Sequence, residues 1–282
     1  MSRVAARDAS FRSRVAFDRL AHEYDSIAAG EVFRRLRART HRAFTRSLAP
    51  GSRLLEIGCG TGLDTAFLAG LGCQVVACDP SEEMVSRAMC RLARQGLGDR
   101  ATVMPCGLHE LPTYLDALAQ TGPFDGVVSN FGALNCVADL APLGRLAERY
   151  LRPHGQMILV LMSRVCAVEA AYFTVTGRKQ LVARRRRDGA VSVPVAGVDV
   201  PTFFHRTAEV CRALGPGMRL VALEGIGVAI PPPYLEPRWL QLPPGVRRLI
   251  SGVDGVLARW PGFNRIGDHI LLRFRKRGHA HA

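Results

Sequence analysis

Arg53-Leu54-Leu55-Glu56-Ile57-Gly58-Cys59-Gly60-Thr61-Gly62 decides how this chain is read. A short apolar run ends on an acid, three glycines then alternate with small residues, and Leu63 to Leu71 follows with a helical pattern. The reading is strand, tight turn, helix start. Glycine suits such a turn because it accepts positive φ and lets a ligand approach the backbone. The free N–H groups opening the helix favour an electron-rich ligand group. A second signal lies 17 residues beyond Gly62, where Gln74-Val75-Val76-Ala77-Cys78-Asp79 again ends an apolar strand on an acid. A strand-end carboxylate in this position can accept both hydroxyls of a ribose. Pro80, Ser81 and Glu82-Glu83 then open a helix with acids in its first turn, as helix-start chemistry prefers.

The spacing separates two nucleotide folds. A dinucleotide fingerprint needs its third glycine at the sixth position, which here is Leu63. The G-x-G-x-G of Gly58, Gly60 and Gly62 preceded by Glu56 resembles the first motif of the class I S-adenosylmethionine-dependent methyltransferases. Asp79-Pro80-Ser81-Glu82-Glu83-Met84 looks like that family's D-x-S-x-x-M run, and Leu151-Arg152-Pro153-His154-Gly155 like its turn before the fifth strand. Phe17-Asp18-x-x-Ala21-x-x-Tyr24-Asp25 resembles an N-terminal motif of its small-molecule members, where the tyrosine lies over the cofactor pocket. The resemblance is good over residues 15 to 162 and holds only in outline beyond them.

It implies S-adenosylmethionine as cofactor, held by Glu56, Gly58, Cys59, Gly60, Gly62, Asp79, Pro80, Met84, Gly107, Leu108 and Asn130. One position departs from the pattern. The acid that relatives place after the third strand, against the adenine amine, aligns with Gly107, so backbone groups at Gly107 and Leu108 would have to replace it. The N-P-P-aromatic motif of amino-directed nucleic-acid methyltransferases is missing, since the fourth strand continues Ser129-Asn130-Phe131-Gly132.

The expected fold is α/β, a Rossmann-like doubly wound sheet, mostly parallel with an antiparallel last strand, plus cap insertions. Residues 1–52 are expected to form an N-terminal helical cap, with residues 1 to about 12 loosely ordered and a helix from Val15 to Asp25. Residues 53–162 form the cofactor-binding core. Residues 163–282 add a lid hairpin, the closing strands and a cap insertion at 231–262. Asp188-Gly189 is expected to turn the hairpin between 180–187 and 190–198, and a helix is expected from Thr202 to Leu214. Trp239, Leu240, Leu242 and Trp260 either line a pocket for a hydrophobic substrate or pack the core.

Composition narrows the partners. The formal charge of +14 invites a nucleic-acid reading. Against it, all basic residues but Lys179 and Lys276 are arginines, spread along the chain, which reads as solvated faces. Nucleic acid is therefore not the expected partner. Eight cysteines form no C-x-x-C and no Cys/His cluster with zinc spacing, so no metal is expected, and the setting is read as reducing and cytoplasmic. The longest apolar run, Met157 to Met162, is too short to span a bilayer, so no stable membrane insertion is expected.

Methyl transfer needs an aligned nucleophile and a base for an acceptor of high pKa. His205, beside Phe203 and Phe204, leads the catalytic candidates, with Tyr24 and Asn130 next and His22, His109 and Asn135 behind. A small hydrophobic or natural-product-like acceptor is the leading reading. An RNA or protein methyltransferase and a non-catalytic cofactor-binding protein are the alternatives.

Overall fold

The computed structural model describes residues 3–118 and 122–278, with side chains from Asp8 onward. Among the described residues nine strands follow in chain order: β1 (Arg53–Ile57), β2 (Gln74–Cys78), β3 (Ala101–Met104), β4 (Phe124–Ser129), β5 (Leu151–Met162), β6 (Ala190–Val195), β7 (Val198–Phe203), β8 (Met218–Ile226) and β9 (His269–Lys276). Seven of them form one sheet in the order β3-β2-β1-β4-β5-β9-β8, and β6 and β7 pair separately. β1 to β5 are mutually parallel, while β9 runs antiparallel to both β5 and β8. This is the expected doubly wound sheet with one reversed strand. The order changes direction between β1 and β4, and the loops leaving these strands diverge there into the crevice where such sheets bind ligands.

The central strands are apolar on both faces, as strands covered by helices on each side must be. Leu55, Ile57, Val76, Cys78 and Val127 belong to one core, and their neighbours Leu54, Val75, Ala77 and Val128 to the opposite one. Helices α1 (Arg3–Ala28) and α2 (Glu31–Ser47) precede the sheet. α2 buries Val32, Leu36, Thr40, Ala43 and Phe44, a stripe at helical spacing, against the second core. α1 starts at Arg3, so the expected loose N-terminus is corrected: buried Ala9, Ser13, Ala16, Ala21 and Ala28 give it a small-residue face that packs closely.

Helices α3 (Leu63–Gly70), α4 (Glu82–Arg94), α5 (Leu111–Ala117) and α6 (Ala141–Tyr150) connect the parallel strands. Beyond β5 come α7 (Ala167–Val175), α8 (Lys179–Val182), α9 (Thr207–Leu214), α10 (Glu236–Leu240) and α11 (Pro244–Leu257). Two expectations fail here. Asp188-Gly189 does not turn the hairpin: β6 and β7 close at Ala196-Gly197, both at positive φ (46° and 75°), the geometry of a two-residue hairpin turn. The segment 180–187 instead holds the end of a short helix (Lys179–Val182) and a 3-10 turn (Arg184–Arg186), and Asp188 pairs with Arg164 and Arg206. The second correction is that Thr202 lies within β7, which ends at Phe203; the helix begins at Thr207, because Val200 and Thr202 are buried on alternate positions, a strand period.

Residues Glu169, Arg185 and Asp268 form a buried ionic cluster that pins the 163–186 segment to the start of β9. Arg185 donates to Asp268 Oδ1 at 2.8 Å and through Nε to Glu169 Oε1 at 3.1 Å. Cys166 stands with these two acids, its donor atom within 4.8 Å of theirs. The guanidinium already supplies the cation between the carboxylates, and burial pushes the Cys166 thiol up to about 12, which fits a neutral thiol. Among the described residues no helix is long and apolar enough to cross a membrane.

Candidate active site

The three glycines leave β1 with φ of 77°, 53° and 77°, and each has its own reason. A Cβ on Gly58 would meet Ala133 Cβ at 2.2 Å, and one on Gly62 would meet Ala88 at 2.8 Å. The outer two therefore let the β4 loop and α4 come close. A Cβ on Gly60 would meet nothing within 4 Å. Space is open over the middle of the loop.

Asp79 closes the loop from the end of β2. Its Oδ2 accepts the Gly60 N–H at 2.9 Å and its Oδ1 the Ser81 N–H at 3.0 Å. Burial nonetheless raises its pKa to about 6, against those two hydrogen bonds. Ser81 caps α4 by accepting the Met84 N–H at 3.1 Å, a contact worth about 1 kcal/mol. Met84 is buried, and Pro80 lies beside Gly107, whose added Cβ would sit 3.9 Å from Pro80 Cβ. Leu108 is buried next to it. Glu110 turns back so that Oε2 accepts the Gly107 N–H at 3.1 Å. An acid therefore stands beside Gly107, the position at which the family pattern has one.

Two further carboxylates lie under the loop and are neutralised differently. Glu56 is 2% exposed and accepts from Thr65 Oγ1 at 2.7 Å. Burial and then the charge of Asp64 push its pKa well up, which favours the protonated acid. Burial also opposes the charge on Asp64, but Arg37 at 2.8 Å and His41 at 2.6 Å outweigh it and hold its pKa low. Asn130 donates from Nδ2 to Asp64 Oδ2 at 2.9 Å and to Thr40 Oγ1 at 3.1 Å, while its Oδ1 accepts the Phe131 N–H at 3.0 Å. Its amide is fully used in holding α2, α3 and the β4 loop together.

The next residue carries strain. Phe131 has φ of 46°, a conformation that costs a bulky residue about 1–3 kcal/mol and clusters at functional sites. Its ring lies 4.7 Å from Phe33, 5.3 Å from His269 and 4.8 Å from the Arg37 guanidinium. Tyr24 extends the row by meeting Phe33 edge-on at 6.3 Å. Burial raises the Tyr24 pKa despite the opposing charge of Arg37, so the phenol stays protonated. His269 is buried, with Nδ1 3.1 Å from Asp268 Oδ2 but not aligned for a hydrogen bond.

α1 roofs the crevice. Asp18 accepts from Ser81 Oγ at 2.6 Å, and Asp25, two turns on, takes Thr61 Oγ1 at 2.7 Å and Arg91 at 2.6 Å. His205 lies further out. Its Nε2 is 2.9 Å from the Val137 carbonyl and its ring stacks on Phe203; burial lowers its pKa below the ordinary histidine value. Among the described residues no hydrogen bond or ring contact joins it to Tyr24 or Asn130. His22 is exposed and sits beside Arg87, His109 is exposed, and Asn135 ties the β4 loop to Phe203 O at 2.7 Å.

The glycine loop, Glu56, Asp79, Pro80, Met84, Gly107 and Leu108 thus meet along the carboxyl ends of β1 to β3, with Asn130 and Tyr24 at the β4 side. Asp18, Asp25 and Phe131 stand in the quoted motifs without a role, and Arg37, His41, Asp64 and His269 carry no local sequence signal. The donor set fits S-adenosylmethionine: an acid for ribose hydroxyls, open space at Gly60, and buried carboxyls around the loop.

Comparison with known proteins agrees with this fold. A methyltransferase-domain family model matches residues 54–155. A demethylmenaquinone methyltransferase of Parafrankia sp. is 30% identical over 181 residues, 58% of this chain and 68% of that protein. A ubiquinone biosynthesis O-methyltransferase of Parvibaculum lavamentivorans is 31% identical over 130 residues, 46% of this chain and 47% of that protein. The chain spans about half the length of the first such curated relatives. Among solved structures, the [4+2]-cyclase SpnF aligns with a TM-score of 0.63 over 95% of this chain and 97% of its own at 16% identity. A geranyl diphosphate C-methyltransferase of Streptomyces coelicolor aligns at 0.55 over 86% and 80% at 13% identity. These two likenesses concern the fold. The chain belongs to the class I S-adenosylmethionine-dependent methyltransferases.

Proposed function

We propose that this protein transfers the methyl group of S-adenosylmethionine to a small, apolar, natural-product-like acceptor. The observation that carries the reading is the meeting, at one sheet edge, of the open Gly60 cradle with the aromatic row Tyr24, Phe33 and Phe131. The relatives named as ubiquinone biosynthesis O-methyltransferase and demethylmenaquinone methyltransferase support a quinone-like acceptor. The bound cofactor supplies an already activated methyl group. Asp79 takes the ribose hydroxyls, and Glu110 stands where it can accept from the adenine amine in place of an acid at Gly107. Glu56 and the loop N–H groups hold the methionine end. The aromatic row fixes the plane of the acceptor, and Tyr24, kept neutral by burial, donates to its oxygen. Alignment and exclusion of water under α1 can supply about 7–11 kcal/mol of the barrier.

Asn130 serves by fixing Asp64 and the β4 loop. Two imidazoles compete for the base. His205 is neutral and therefore able to take a proton, but a carbonyl holds its Nε2. His269 faces Phe131 with Asp268 beside it, which favours His269 as a second reading of the same role.

Calorimetric titration with S-adenosylhomocysteine tests the cofactor site. Asp79→Ala is expected to weaken binding by about 1.5–3 kcal/mol, the value of hydrogen bonds to a charged group, and Gly60→Val to abolish it. Absence of binding by the native chain would overturn the reading. Labelled methyl transfer to a panel of phenols and quinols tests the acceptor class, with His205→Gln and His269→Gln separating the bases. Cofactor binding with no transfer to any acceptor would favour the non-catalytic alternative, and salt-sensitive methylation of RNA the nucleic-acid one.

A further inference from the structure

The insertion between β8 and β9 is built on two inward-facing acids. Glu236 accepts the Glu31 N–H at 2.8 Å and so caps α2. Asp254, fully buried, accepts the Ala229 N–H at 2.8 Å and pairs with Arg39 at 2.5 Å. These contacts fix which side of α11 faces in. The side left outward is apolar. Val246, Leu249, Val253, Val256, Trp260 and Phe263 are 40%, 68%, 43%, 66%, 58% and 42% exposed, spaced alternately three and four residues apart along α11 and the turn after it. Scattered exposed apolar residues are ordinary, but a continuous stripe marks an interaction surface.

The charge around the stripe selects its partner. Between residues 233 and 266 the only acids are Glu236 and Asp254, both engaged inward, whereas the arginines are Arg238, Arg247, Arg248, Arg259 and Arg265. At the start of α11 a groove of about 440 Å³ is lined by Arg34, Arg35, Arg247 and Arg248 with the single acid Glu31. Glu31 pairs with Arg35 and Arg247, and among the described residues Arg34 and Arg248 have no ion pair. Three-four spacing would also suit pairing with a second copy, but that arrangement brings two arginine-rich borders together, where the neighbouring acids Glu31 and Glu224 are already paired with Arg35, Arg247, Arg46 and Arg259. An apolar stripe edged with arginine matches instead an interface that is negative at its surface and apolar just below.

We propose that the outer face of α11, with Trp260 and Phe263, docks onto the surface of an anionic phospholipid bilayer, the arginine groove taking headgroup phosphates. The proposal is independent of the acceptor reading, since its surface lies on the far side of α2 from the Asp64 cluster. Co-sedimentation of the full chain with vesicles tests it, using phosphatidylglycerol mixed with phosphatidylcholine against phosphatidylcholine alone. Binding is expected to the mixed vesicles and to weaken in about 0.5 M salt, where the Debye length shrinks below about 5 Å. Leu249→Glu with Val256→Glu, and separately Arg34→Glu with Arg248→Glu, are each expected to lower partition roughly tenfold. All four side chains are outward, and an unchanged circular-dichroism melt confirms folding. Failure to bind mixed vesicles, equal partition of the native chain and the stripe variant, or a solution dimer that the stripe variant dissociates would each overturn it.

Discussion

Asp79 makes cofactor affinity depend on pH in a stated direction. Burial raises its pKa to about 6, above the value of about 3.9 for an unfolded aspartate. A raised acid stabilises the folded chain most below the unfolded pKa, and the contribution disappears as pH rises through about 6. A ribose, however, donates hydrogen bonds and therefore needs the carboxylate. Below pH 6 the proton must leave first, at about 1.4 kcal/mol per pH unit. The dissociation constant for S-adenosylhomocysteine is expected to be nearly flat from pH 7 to 8 and to rise about fivefold between pH 6 and 5. Calorimetry across that range checks it, and Asp79→Asn should bind weakly but without the slope. A slope that survives in the variant would assign the proton to another group. Glu56 and Asp79 were legible in the sequence because each closes an apolar run at a strand end. Arg37, His41 and Asp64 were not, because α2 and α3 only bring them together in space and no local pattern pairs them. Phe131 gave no signal either, since its strain belongs to the backbone conformation.

At the scale of elements, the parallel core was readable from apolar runs punctuated by glycine and acid, and the lid region was not. Asp188-Gly189 has the composition of a hairpin turn, yet Arg164 and Arg206 claim the Asp188 carboxylate and the chain turns at Ala196-Gly197 instead. Tertiary ion pairs overrode a local preference. α1 was foreseen as a helix, but its role as a roof rests on Asp18 and Asp25 contacts that sequence spacing alone does not reveal. Those contacts are polar and partly solvated, so they hold the roof without sealing it permanently. Asp25→Asn removes the charged pairing with Arg91 and weakens the contact to Thr61, a loss of about 1 kcal/mol for a partly exposed pair. Stopped-flow dissociation of S-adenosylhomocysteine should then be several-fold faster. An unchanged off-rate would mean that α1 does not gate the crevice.

For the molecule as a whole, the doubly wound order and its single reversed strand followed from the sequence pattern, whereas the division into cap and core is less sharp than the pattern suggests. α2 is packed into the same core as β1 and β4, and the Glu169–Arg185–Asp268 cluster welds the last third to the sheet. The placement of β9 has a consequence for the order of events during synthesis. Among the described residues it is the last of the nine strands to be made, yet it sits inside the sheet, between β5 and β8. Until His269–Lys276 has left the ribosome, β5 presents a row of unpaired backbone groups and an apolar flank, the kind of open edge on which chains stick to one another. Nascent chains arrested before β9 are therefore expected to be cut readily by protease and to recruit chaperones, and chains released beyond it to resist cleavage. Protection of the shorter chains would mean that β5 finds another cover. Otherwise the growing chain waits on β9, and the speed of translation through the α10–α11 insertion sets how long that edge stays open.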